Sequence, residues 1–169
     1  MKTAMLIITT LAAGAAMAAN PGSLGLGFGV SFFTPPEADG GMTALYAAEA
    51  HYWLTRHVVP SLEVGYAHYG VDERTYNYLP VFLRTAYHFG ASKVIDPYAG
   101  GGLIYARKWW SGDETGTSNT GGFSVLGGLN FIPSDKFGLG AGVEYVVPEA
   151  ANFDSAYPAF TISLGAGGS

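Results

Sequence analysis

Between Phe137 and Val147 every second residue belongs to one of two sets. Phe137, Leu139, Ala141, Val143, Tyr145 and Val147 are apolar throughout, whereas Gly138, Gly140, Gly142 and Glu144 are small or charged, with Val146 breaking the pattern. A period of two specifies a strand with unlike faces. One face is unbroken grease; the other, three glycines and a carboxylate, is a poor filling for a soluble core. A strand about ten residues long with apolar side chains outward and small or polar ones inward fits a barrel wall that crosses a bilayer.

The rest of the chain repeats the pattern. Ser23 to Thr34 sets Leu24, Leu26, Phe28, Val30 and Phe32 against Gly25, Gly27, Gly29 and Ser31. Thr43 to Leu54 puts Ala44, Tyr46, Ala48, Ala50 and Tyr52 on one face, opposite Glu49, His51 and Trp53. Val59 to Tyr69 turns Leu62, Val64 and Tyr66 outward and Ser61, Glu63, Gly65 and Ala67 inward. Leu79 to Phe89 follows, with Val81, Leu83, Tyr87 and Phe89 out and Phe82, Arg84, Ala86 and His88 in. Tyr98 to Arg107 places Ala99, Leu103 and Tyr105 outward; Gly122 to Phe131 does so with Phe123, Val125, Leu129 and Phe131, Leu126 being an inward exception. The opening stretch is the seventh strand, and Tyr157 to Ala166 is the eighth, with Phe160, Ile162 and Leu164 outward.

Short connections at Thr55–His57, Gly90–Lys93 and Ile132–Lys136 alternate with longer ones at Pro35–Gly41, Gly70–Asn77, Lys108–Thr120 and Pro148–Ala156, which are rich in Pro, Gly and charge. An even number of antiparallel strands, with short turns at one end and longer loops at the other, predicts an all-β, eight-stranded, up-and-down transmembrane barrel. Closure satisfies the strand edges that lipid could not solvate.

Composition narrows the picture. The 169 residues suit one domain, 49% are apolar and only 12% charged, about half the charged share of a soluble domain. Cysteine is absent, which removes disulfides, thiolate metal sites and lipoprotein acylation. A net charge of −5 offers no basic stripe for nucleic acid. Met1-Lys2-Thr3, the apolar run to Ala19 and the small residues Ala16-Met17-Ala18 read as a cleaved signal peptide over 1–19, leaving 20–169 as the exported barrel. No later run is long and apolar enough for a membrane helix.

On this register the interior gathers Glu49, His51, Glu63, Arg84, His88 and Glu144. An eight-stranded barrel is just wide enough for side chains to fill, and buried charges must pair. Arg84 is therefore expected to bridge two of the three glutamates in a polar network that plugs the lumen, with His51 and His88 at its margins. The alternative is a gated polar path. Glu49-x-His51 sets two possible ligands on one strand face, with Glu63 or His88 able to complete a site, but such pairs are common by chance and no metal or other cofactor is expected. The glycines at spacing two are no phosphate loop, since no strand-to-helix turn follows; they are read as crowded or curved positions of the wall. Trp53, Trp109 and Trp110, with other aromatics near strand ends, are expected to anchor at the membrane interface.

The stretches Tyr52-Trp53-Leu54-Thr55, Asp96 to Gly102, and Phe137 to Tyr145 resemble those of the small outer-membrane β-barrel family that includes the OmpA transmembrane domain and OmpX-like proteins. The resemblance covers Ser23 to Ala166 and implies a Gram-negative outer-membrane protein inserted by the barrel assembly machinery, surrounded by outer-membrane lipid and lipopolysaccharide. Members act in membrane stabilisation, adhesion, immune evasion or small-scale permeation. The chain departs from them by ending Leu164-Gly165-Ala166-Gly167-Gly168-Ser169 and not on an aromatic residue. The resulting expectation is a monomeric structural or surface-interaction protein that could meet a ligand through its four loops. A narrow pore or conduit is the alternative; a soluble periplasmic lipocalin-like binder, whose faces would be inverted, comes third. Some outer-membrane lipid hydrolases carry a catalytic site on the wall, and His68 could lie near the membrane surface, but Ser61 and Ser163 sit in no matching motif. No catalytic residues are expected.

Overall fold

The computed structural model describes residues 12–13, 20–38, 41–90, 94–134 and 137–167. The expected signal segment therefore lies outside the described residues, apart from Ala12–Ala13, a two-residue extended segment registered against Ile162 and Ser163. Eight strands build the wall: β1 (Leu24–Phe33), β2 (Thr43–Tyr52), β3 (Val58–Val71), β4 (Arg74–His88), β5 (Ile95–Ser111), β6 (Gly116–Ser134), β7 (Phe137–Val147) and β8 (Tyr157–Gly167). Each pairs antiparallel with the next, and β8 returns to β1 from Gly25↔Gly167 to Phe33↔Ala159, closing the barrel.

The period-two pattern explains the wall directly. Leu24, Leu26, Phe28, Leu62, Leu83, Leu103 and Val125 are exposed on the outside, while Glu63, Arg84, Ser124, Asn130 and Glu144 are buried within. Ile162 has outward parity like Phe160 and Leu164 but is covered, where the Ala12–Ala13 segment runs beside it.

At one end short connections join Tyr52 to Val58, His88 to Ile95 and Ser134 to Phe137; at the other, longer ones join Phe33 to Thr43 and Val147 to Tyr157, and tighter ones lie at Asp72-Glu73 and 112–115. Two of the expected long loops are mostly strand. Within Gly70–Asn77, Val71 pairs with Arg74, Gly70 with Thr75 and Tyr69 with Tyr76, leaving only Asp72 and Glu73 as the turn. Asp72 adopts the left-handed conformation (φ 53°) that such a turn demands and that Asp tolerates. Within Lys108–Thr120, the ladder continues through Lys108↔Ser118, Trp109↔Thr117 and Trp110↔Gly116. Beyond the apolar band an outward side chain no longer has to be apolar, so pairing runs on through polar sequence.

The 34–38 segment folds over the barrel mouth. Pro35 is fully buried, and Glu37 is held from two strands, by an ion pair with Lys108 and a hydrogen bond donated by the Tyr69 hydroxyl at 3.3 Å. The 148–156 loop carries a single 3₁₀ turn, Phe153–Ser155, capped where Asn152 Oδ1 accepts from the Asp154 amide.

Candidate functional site in the barrel lumen

The inward face divides along the barrel axis. The loop half is apolar: Phe33, Leu45, Ala67, Tyr78, Phe82, Ile104, Val146 and Tyr157 form one buried cluster. Phe33 lies 4.8 Å from the Tyr157 ring and 5.9 Å from Tyr78, and the Tyr78 and Tyr157 hydroxyls meet at 2.9 Å. That phenol pair satisfies both hydroxyls without water, so aromatic bulk spans the lumen from β1 through β4 to β8.

The charged layer lies directly beneath. β3, β4 and β7 bring Glu63, Arg84 and Glu144 together: Arg84 Nε donates to Glu144 Oε1 at 2.8 Å, and its Nη1 stands 2.8 Å from Glu63 Oε2. The guanidinium lies over the Phe82 ring at 3.8 Å, so one group joins the polar layer to the aromatic one. Two carboxylates on one fork use the geometry for which guanidinium is suited. Glu49 faces Glu63 across the β2–β3 ladder.

Nearer the turn end, His88 Nδ1 lies 2.6 Å from Asp96 Oδ2, and Asp96 Oδ1 accepts from the Gly90 amide at 2.9 Å. Asp96 is wholly buried and was not among the residues expected in the lumen. The expected strand starts only at Tyr98, whereas β5 already begins at Ile95, and the His88↔Tyr98 pairing sets Asp96 beside the imidazole. The signal was the parity of Asp96 with Tyr98, two residues on.

Trp53, expected at the membrane interface, is instead inside: it is 1% exposed, packs with Val59 and Ile132, and its ring lies 4.9 Å from that of His88. It shares its strand face with Glu49 and His51, and that parity outweighs its position at a strand end. Trp110 also has inward parity, near Tyr76 at 6.2 Å, while Trp109 has outward parity and meets Tyr66 at 6.5 Å.

Between the charged layer and the turn end lies a cavity of about 90 Å³ lined by Glu49, His51, Ser61, Glu63, Arg84, His88, Tyr98 and Asn130 among others. It has room for several waters. Its wall depends on two glycines: a Cβ on Gly142 or Gly128 would stand 2.5 or 2.6 Å from the Tyr98 hydroxyl, so the phenol lies in the groove they leave. Among the described residues no three His, Cys, Asp or Glu side chains form a closed metal cage.

The wall does not assemble a Ser–His–acid site from the residues considered. His68 is exposed, with Nδ1 3.0 Å from Asn77 Oδ1, whereas Ser61 and Ser163 line the internal cavity.

No family model matches the sequence, and no curated protein matches it. Solved structures do. The N-terminal β-barrel domain of Pseudomonas aeruginosa OprF superposes with a TM-score of 0.72 at 19% identity, over 88% of this chain and 98% of that one. Neisserial surface protein A matches with a TM-score of 0.63 at 15% identity, over 84% and 92%. The outer membrane enzyme PagL matches with a TM-score of 0.50 at 15% identity, over 83% and 98%. The chain thus has the fold of the small eight-stranded transmembrane barrels, a fold shared by enzymes and non-enzymes.

Proposed function

We propose that the protein is an integral barrel of the Gram-negative outer membrane with a closed lumen, acting as a structural or surface-interaction element through its loop end. The observation that carries this reading is the inverted distribution of side chains. Phe28 is 66% exposed and Leu103 65% exposed on the outside, while Arg84 and Glu144 are 7% exposed inside. Soluble monomers rarely leave contiguous apolar patches beyond a few hundred Å²; a bilayer is the solvent in which this surface is stable. The aromatic layer around Phe33, Tyr78 and Tyr157 and the Arg84 pairs beneath it support closure.

On this reading the barrel is monomeric, surrounded by lipopolysaccharide and phospholipid, and inserted by the barrel assembly machinery. The loop end meets any external ligand with the 34–42 and 148–156 segments and the two hairpin tips. The separation of His68 from Ser61 and Ser163 supports a non-enzymatic role. The test has two steps. Expressed with its leader, the protein should fractionate with the outer membrane and migrate differently on SDS gels before and after boiling; a soluble, unshifted protein would sink the reading. The folded barrel should then give no steady conductance in planar bilayers. The polar cavity in the turn half favours one alternative, a narrow pore, and discrete conductance steps would establish it.

A further inference from the structure

The turn half of the lumen holds two acid–imidazole pairs, and only one is complete. His88 and Asp96 satisfy each other, with the Gly90 amide on the second carboxylate oxygen. His51 is 3% exposed, and its Nδ1 stands 3.2 Å from Glu49 Oε1 without the alignment of a hydrogen bond. Neither of its ring nitrogens has a hydrogen-bonding partner among the described residues. Buried polar groups are ordinarily partnered. Charge is also unbalanced there: Arg84 is taken up by Glu63 and Glu144, which among the described residues leaves Glu49 on the cavity wall without a guanidinium or ammonium beside it.

We propose that Glu49 and His51 are the protein half of an open site for a divalent transition-metal ion inside the lumen. The two residues are two apart on β2 and therefore share its inner face. Donors bound to one ion at about 2.0–2.2 Å stand about 3 Å apart at right angles and about 3.4 Å apart at the tetrahedral angle, and the 3.2 Å separation of Nδ1 and Oε1 falls between the two. Imidazole with carboxylate favours zinc, cobalt, nickel or iron over calcium and magnesium. The cavity of about 90 Å³ gives room for the waters that complete the shell, and Ser61, paired with His51 across the β2–β3 ladder, adds a hydroxyl to the same wall. Gly25 supports the arrangement, since a Cβ there would press to 2.7 Å from His51 Cε1 and push the ring off its wall. Two protein donors make an exchangeable ion more fitting than a permanent structural one, which takes four.

The site lies within the barrel, so its test is independent of membrane location. Untagged protein refolded in detergent is titrated with Co²⁺ alone, read by its visible absorption, and Zn²⁺ is then added as competitor. The expected result is one saturable equivalent displaced by Zn²⁺, weakened at least ~10-fold in both Glu49→Gln and His51→Gln, and unchanged in Glu114→Gln at an exposed hairpin tip. Heat-modifiable migration checks that each variant is folded. Should His51→Gln fail to fold, Glu49→Gln decides alone, because Glu49 accepts no hydrogen bond among the described residues and loses only its charge. No saturable absorption, or absorption that Glu49→Gln leaves intact, overturns the proposal.

Discussion

Arg84 lies 3.8 Å above the Phe82 ring, with a carboxylate on each side of its fork. Truncating it to Ala strands Glu63 and Glu144, both buried, without the cation they share. Breaking a buried pair by removing one partner costs about 3–5 kcal/mol; Arg84→Ala should lose a comparable amount in reversible urea unfolding from vesicles followed by tryptophan fluorescence. The triple change Arg84→Met, Glu63→Gln and Glu144→Gln should recover much of that loss, because it removes the stranded charges with the cation. A triple variant no more stable than Arg84→Ala would mean the cost is packing and not charge. Tyr98 makes a second residue-level case. Gly142→Ala should destabilise the barrel by pressing on the phenol, and Tyr98→Ala in the same chain should relieve it, giving a coupling of about 0.5–3 kcal/mol in a double-mutant cycle.

At the scale of elements, the hairpins β3–β4 and β5–β6 stand as paired ribbons above the apolar band. Arg107 and Lys108 sit in the ladder opposite Asn119 and Ser118, and the unpaired connection 112–115 contains neither Lys nor Arg. Trypsin applied to the folded barrel should therefore not cut at Arg107 or Lys108, whereas a Glu-specific protease has Glu114, 74% exposed, at the tip. Tryptic cleavage after Lys108 would mean that the 108–120 segment is a loose loop. That segment also marks how far the sequence could be read. Where lipid faces one side, as from Leu24 to Phe32 or Phe137 to Tyr145, alternation stated the strand, its parity and its lumen residues. Above the band the solvent is the same on the outer face as in a loop, the contrast vanishes, and Trp110↔Gly116 pairing is written in nothing but register. Trp53 and Asp96 were less legible for different reasons: Trp53 sits at a strand end, where an aromatic also suits a girdle, though it shares the parity of Glu49 and His51, and Asp96 lies in the three residues by which β5 begins before Tyr98.

At the scale of the whole molecule, the same wall with the same faces behaves differently in water and in a bilayer, and two substitutions on one strand tell the two solvents apart. Leu83 is 58% exposed, lies outward near the middle of the β4 apolar run, and pairs with Leu62 and Leu103, which are exposed too. In water, Leu83→Arg would remove an exposed apolar side chain and add charge, leaving stability within about 0.5 kcal/mol. In a bilayer it sets a guanidinium at mid-depth, a loss of about 2–4 kcal/mol that falls to about 0–1 near the interface. Leu79→Arg, outward on the same strand and opposite Arg107, tests that second limit. Urea unfolding from vesicles should thus show a large loss for Leu83→Arg and a small one for Leu79→Arg, the depth dependence being the signature. Equal and small effects would place the outer face in water, and the interior charges would then need another explanation. A graded loss ties Arg84 and Leu83, neighbours in sequence on opposite faces, to one cause: the chain keeps its charge inside because its outside is dissolved in lipid.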